Sequence, residues 1–130
     1  RNERQWSAVS KEELLEIQQS MDLTEPLTAA FVGANLCLEG VPQLSRLPKG
    51  SILKFPSGAE LIVEEYNPPC LEMGQKIAAT FTRHSGESIR ETDFSKAAQF
   101  NRGVVGVIEV AGDIRPGDDV TINIYEPPTW

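Results

Sequence analysis

The chain has 130 residues, 40% of them hydrophobic and 24% charged, which suits one globular domain with a core of its own. Its net charge of -7 excludes a general nucleic-acid binder, which needs a basic, phosphate-matching surface. Two cysteines, Cys37 and Cys70, and one histidine, His84, exclude a disulfide scaffold, a Cys-x-x-Cys site and a multi-histidine metal site.

A reducing compartment follows from this cysteine usage, and a cytoplasmic location is the expectation. No apolar run approaches the roughly 18 residues of a membrane span, and no signal peptide is visible. The chain starts at Arg1 without an initiator methionine, as a processed product or a fragment does, so a missing N-terminal segment is expected.

Gln5 to Val9 reads as a short strand behind a polar cluster of Arg1, Asn2 and Arg4. Ser10-Lys11-Glu12-Glu13 is a capping box, in which the serine hydroxyl accepts from the Glu13 N–H and Glu13 reaches back. Leu14, Ile17 and Met21 continue at helical spacing with Leu15 beside them, so a helix is predicted over about residues 11–20. Glu12, Glu13 and Glu16 are its predicted wet face. Residues 22–31 read as a connection with a short helix after Pro26. Gly33-Ala34-Asn35-Leu36 enters a strand reaching Leu38, with Asn35 and Cys37 facing away from Leu36 and Leu38. Asn35 is either a turn residue or an amide for a ligand.

Residues 40–50 read as loop. Ser51 to Phe55 and Ala59 to Tyr66 are strands of a hairpin turned by Pro56-Ser57-Gly58. Leu71 to Thr82 is predicted helical, with Leu71, Ile77, Ala78 and Phe81 as core positions and Gly74 as a weak point. Residues 82–93 read as a loop able to carry a lid or specificity, and residues 94–100 as a short helix capped by Thr92 or Asp93. Gly103 to Ala111 is apolar on both faces, the pattern of a buried strand, and Gly106 inside it marks a bend or a close backbone approach. Arg115-Pro116-Gly117-Asp118 is a tight turn, and Val120, Ile122 and Ile124 alternate with polar residues in a last strand. Short strands launched by proline-glycine turns, with few helices, predict a mainly β, barrel-like fold.

Between the second hairpin strand and the helix stands Tyr66-Asn67-Pro68-Pro69-Cys70-Leu71. Neither proline fits a helix interior, and the residue before each is pushed toward extended geometry. Cys70 is therefore placed at or just before a first helical turn. Unpaired N–H groups and the helix dipole there favour a thiolate, the form that attacks electrophiles and binds metals. The alternative is a half-buried cysteine that packs as a small apolar residue. Glu72 would oppose ionisation of the thiol and Lys76 would assist it.

In order along the chain, Gly33-Ala34-Asn35-Leu36 with Glu39-Gly40, Leu47-Pro48-Lys49-Gly50-Ser51, Pro68-Pro69-Cys70, Arg102-Gly103-Val104-Val105-Gly106-Val107 and Ile114-Arg115-Pro116-Gly117-Asp118-Asp119-Val120 resemble the MOSC domain. That module is named for the C-terminal part of molybdenum cofactor sulfurase. The resemblance runs from about Gln5 to Ile124. It implies a MOSC β-barrel with a few peripheral α-helices, as one domain over residues 1–130.

The resemblance also implies a site. Cys70 matches the family's reactive cysteine, which handles sulfur in sulfurases and ligates molybdenum in amidoxime-reducing relatives. It is thus the candidate catalytic residue and the candidate metal ligand. Asn35 lies in the stretch that matches a segment near the pterin. Arg102 and Arg4 are candidates for the phosphate of the molybdenum cofactor (molybdopterin). The activities implied are sulfur transfer to that cofactor or reduction of N-hydroxylated compounds. The alternative is a non-catalytic module that delivers cofactor or docks a cysteine desulfurase. A desulfurase or an electron-transfer partner and a small-molecule substrate are the expected partners, with neither nucleic acid nor membrane among them. No pyridoxal-phosphate site is visible. Two departures stand out. The family's N-terminal strand with an Asp, His and Gly motif has no match, either because that piece is missing or because this subgroup lacks it, and Ala34 occupies the place of an arginine found in the amidoxime reducers.

Overall fold

The computed structural model describes residues 2–129, and a six-stranded sheet forms its centre. Strand β1 (Trp6–Ser10) runs directly into helix α1 (Lys11–Ser20). Strand β2 (Leu36–Leu38), a 3-10 turn at Leu44–Arg46 and the hairpin of β3 (Ile52–Lys54) and β4 (Glu60–Tyr66) follow. Helices α2 (Leu71–Thr80) and α3 (Asp93–Ala97) precede β5 (Val104–Val110) and β6 (Thr121–Asn123). The strand order is β2-β1-β5-β4-β3-β6. β1 and β2 pair in parallel, and the other neighbours are antiparallel.

Both edge strands share one core. Leu36 and Leu38 of β2 and Ile122 of β6 pack with Trp6, Leu53, Leu61, Val63 and Val104. Only a curled sheet brings its two edges onto the same apolar cluster, so the sheet is a half-barrel, as the turn-and-strand pattern predicts. The alternation along β1 builds a second layer. Ala8 faces into the half-barrel, while Val9 faces Leu14, Ile17, Ile77 and Phe94 of the three helices.

Several expectations are corrected by packing. The strand over Val104–Val110 is buried only through Val107, and Ile108 to Val110 are exposed. Leu71 is 48% exposed, since the first turn of α2 projects beyond the layer that Ile77 anchors. Phe81 follows α2 rather than lying in it, and packs edge-on against Phe31. The segment after Pro26 forms turns instead of a helix. Thr92 caps α3 without a side-chain bond; the Asp93 carboxylate instead accepts from the Arg90 N–H. Residues 82–85 are tied to residues 22–24, with the His84 and Ser85 N–H groups donating to Asp22. Gly106 is a close approach, as expected: a Cβ there would overlap the Ile62 carbonyl oxygen.

Gly74 has a purpose that helix propensity does not show. A Cβ at this position would overlap the Glu91 carbonyl oxygen. Alanine is worth about 1 kcal/mol over glycine in an open helix. Here Gly74→Ala is expected to lower stability by about 1–3 kcal/mol, because the backbone at Glu91 must move to make room. Urea denaturation would detect the sign, and a stabilised variant would refute the account.

Glu13 is the largest correction on α1. The Ser10 hydroxyl accepts from its N–H at 3.1 Å, as the capping box requires. Its carboxylate turns inward instead of reaching back, and the residue is 1% exposed. There it accepts from the Ser45 N–H at 3.2 Å and from the Ser45 hydroxyl at 2.9 Å. The same hydroxyl accepts from the Gly103 N–H at 2.7 Å. A buried carboxylate thus joins α1 to the 3-10 turn and to the start of β5.

Burial pushes the Glu13 carboxyl above the ordinary carboxylate range, against the lowering effect of the Ser45 bonds. The folded state therefore holds this proton more tightly than the unfolded chain does. Glu13's contribution to stability is greatest below the ordinary pKa and falls as pH rises through the raised one. Glu13→Gln has no proton to lose in that window. The wild type is expected to lose stability relative to Glu13→Gln as pH rises through it. Parallel melts that track each other across the carboxylate range would contradict this assignment.

Candidate functional site

The site forms at the end of the sheet where β4 finishes and β5 begins. Their register pairs Tyr66 with Val104, and a bulge between Val63 and Glu65 re-aims the last residues of β4. The Asn67 N–H extends the ladder one step by donating to the Gly103 carbonyl at 2.8 Å. Pro68 and Pro69 cannot donate, so pairing stops and the chain turns away. Cys70 follows as the N-cap of α2, with extended backbone at φ -105° and ψ 155°. Its side chain makes no capping bond, and the residue is exposed. Two proline-enforced extended steps and a helix start thus place the thiol in solvent at the rim of the half-barrel.

Just ahead of the adjacent strand β5, Arg102 precedes Gly103. Its side chain is 9% exposed, and Nη2 donates to the Val32 carbonyl at 2.6 Å. Nη1 is buried and has no hydrogen-bond partner among the described residues. Burial pulls the guanidinium below its ordinary range, the charge on Cys70 draws it back up, and Arg4 pushes it down again. Cys70, Arg102 and Arg4 therefore lie within one electrostatic neighbourhood. Arg4 Nη2 donates to Asn67 Oδ1 at 2.7 Å, and its Nη1 pairs with Glu65 at 3.2 Å. That brings Arg4 onto the strand end that carries the thiol.

Asn35 stands apart, with β1 and β5 between β2 and β4. Its Oδ1 accepts from the Ser7 N–H at 2.8 Å, and its own N–H donates to the Ser7 carbonyl at 3.1 Å. It extends the parallel β1–β2 pair and lines a cleft of 350 Å³ with Phe55 and the Ile114–Asp118 turn. Lys76 stands over the Phe31 ring at 4.6 Å. Exposed His84 belongs to the segment tied to Asp22. The polar cluster at the N-terminus includes Arg1, which lies outside the described residues.

Sequence reading missed Asn67, Ser45 and Glu13 as parts of the site's frame. Asn67 carried a legible signal, a polar residue directly ahead of Pro-Pro-Cys at a strand end. Ser45 and Glu13 carried none, because their partners are distant along the chain. Among the described residues no group of three or more His, Cys, Asp or Glu side chains could hold a metal ion. The donor set instead suits a metal centre that brings most of its own ligands and needs one soft thiolate. The unpaired Nη1 of Arg102 suits an anionic group on the same ligand.

Comparison with known proteins agrees with this frame. The family model for the MOSC domain matches residues 1–121. YuaD from Bacillus subtilis (strain 168) is 34% identical over 135 residues, and its name carries a provisional assignment to metal-sulfur cluster biosynthesis. The match covers 96% of this chain and 63% of that relative, so the chain spans less than two thirds of the relative's length. The crystal structure of YuaD from Bacillus subtilis superposes with a TM-score of 0.87 at 34% identity, covering 96% of this chain and 66% of that one.

Proposed function

The chain belongs to the MOSC domain family, and from that premise we propose that it handles sulfur through Cys70, which carries it as a persulfide toward a metal centre. The observation that carries this reading is an exposed, unbonded thiol within electrostatic reach of a buried guanidinium whose Nη1 has no partner among the described residues. A thiolate beside a fixed cation is the nucleophilic form. The relative's name, which concerns metal-sulfur cluster biosynthesis, supports the same chemistry.

The metal centre that the family implies is the molybdenum cofactor, and the residues fit it. Cys70 would ligate the metal as a soft thiolate, and Arg102 with Arg4 would hold the cofactor phosphate. Asn35 would contact the pterin only by the route the resemblance implies, since its Oδ1 is already engaged by Ser7. When bound, the cofactor would supply the redox chemistry for reducing N-hydroxylated compounds or serve as the acceptor of sulfur. The protein's own part is to hold the thiol in solvent, keep a cation beside it and fix both through Asn67 and Gly103. A cysteine desulfurase would supply the sulfur in a cytoplasmic setting, and an electron-transfer partner would be needed for the reductive route.

The test is analysis of protein purified from a host competent to make the cofactor. Wild type is expected to hold cyanide-labile sulfur, or molybdenum with a releasable pterin, and Cys70→Ser neither. Cofactor or desulfurase binding that survives in Cys70→Ser would mark a non-catalytic delivery or docking module instead. A wild type with none of these would end the proposal.

A further inference from the structure

Arg102 is out of electrostatic balance with its surroundings. A guanidinium that is 9% exposed ordinarily meets a carboxylate, yet none pairs with it among the described residues. One side of the fork is satisfied by the Val32 carbonyl, and Nη1 is left over. The other charged side chains acting on it are Cys70 and a second cation, Arg4, whose own charge is shared with Glu65. Burying an unpaired charged donor is costly, and such a group is retained where a ligand completes it. The missing partner is an anion. It must reach both the guanidinium and the sulfur on the neighbouring strand end. A planar fork with a buried, unpartnered N–H suits the oxygens of a small oxyanion.

We propose that Cys70 also takes sulfur directly from a small anionic sulfane-sulfur donor of the thiosulfate type, whose oxyanion head is held by Arg102. This rests on the sulfur-carrier reading and adds a donor to it. The Cys70 thiolate attacks the terminal sulfur of thiosulfate. A sulfur–sulfur bond forms on Cys70, the donor's sulfur–sulfur bond breaks, and sulfite leaves with the bonding electron pair. The cysteine sulfur is oxidised to the persulfide level and the donor is reduced to sulfite, so no further oxidant or reductant enters. Cyanide can then remove the outer sulfur as thiocyanate and restore the thiolate. Arg102 contacts the substrate in this step and is therefore a catalytic residue for it.

The experiment uses the full chain, reduced and then incubated with thiosulfate. Sulfite release and a mass gain of one sulfur atom on Cys70 are the readouts. Loading by a cysteine desulfurase with cysteine runs in parallel, and an uncharged alkyl thiosulfonate measures simple access to the thiol. Arg102→Gln is expected to slow thiosulfate loading about 10- to 100-fold, the effect of one charge-assisted hydrogen bond. Arg102→Lys, which keeps the charge and loses the fork, should fall between and carries the test if the glutamine variant does not fold. Labelling by the uncharged reagent should stay near the wild-type rate in Arg102→Lys, which keeps the cation, and should fall in Arg102→Gln by much less than thiosulfate loading does. Equal thiosulfate loading in wild type and variants would overturn the inference. So would a wild type loaded by the desulfurase and untouched by thiosulfate, an outcome that leaves the sulfur-carrier reading standing. Failure of both donors would remove both.

Discussion

Cys70→Ser should abolish sulfur loading while leaving the fold as stable as before, or slightly more so. Cys70 is exposed and caps α2 without a side-chain bond, so its replacement removes no packing and no hydrogen bond within the fold. Serine is among the preferred N-cap residues, because its hydroxyl accepts from the N–H groups of the first turn. The expected change is a gain of up to about 1 kcal/mol from capping, or no change beyond the roughly 0.5 kcal/mol typical of surface positions. Loss of function with an unchanged or raised melting temperature separates a chemical role from a structural one. Cys37→Ser is the matching control. Cys37 is also exposed, but burial of its sulfur pushes that thiol up, and Lys11 counters this only in part. Its removal should leave loading at the wild-type level. If Cys70→Ser unfolded the protein, or if Cys37→Ser abolished loading, the assignment of the sulfur to Cys70 would collapse.

Gly103→Ala should be among the most damaging single changes in the chain. Gly103 has φ +93°, where a Cβ is strained, and that Cβ would overlap the Ala8 carbonyl oxygen of the neighbouring strand. β1 and β5 would have to separate just where Ser45 and Asn67 also bond to Gly103. Gly117 provides the comparison. Its φ is +89°, and a Cβ there would meet nothing within 4 Å. Gly117→Ala should cost about 1–2 kcal/mol, the price of left-handed backbone alone. Gly103→Ala should cost on the order of 4 kcal/mol or more, a large share of a domain's total stability. Denaturant curves of the two variants measure the difference, which isolates the close approach of the strands. Equal costs would mean that β1 and β5 can part freely.

These outcomes divide along what local chemistry can encode. The strand at Trp6–Ser10, the helix at Lys11–Ser20, the hairpin and the tight turn before β6 were all legible, because periodicity, caps and turn residues act over a few positions. The placement of Cys70 was legible for the same reason. Two prolines exclude helix before it and allow helix after it. The wet-face reading of Glu13 failed because nothing within its own helix shows that Ser45 lies above it. Leu71 failed in the opposite sense, since its apolar side chain occurs in a turn that no other element covers.

By itself, then, the sequence determined the half-barrel's strands, the helix that begins at Cys70 and the family to which the ordered motifs belong. Only the tertiary structure decided what surrounds the thiol. Glu13 meets Ser45 across 32 positions, Ser45 meets Gly103 across 58, and Arg102 meets Val32 across 70. Contacts of that span follow from sheet order and curl rather than from local propensity. They come into being only when β4 ends where β5 begins and a guanidinium is buried at the end of the sheet whose rim carries the cysteine that two prolines had already set there.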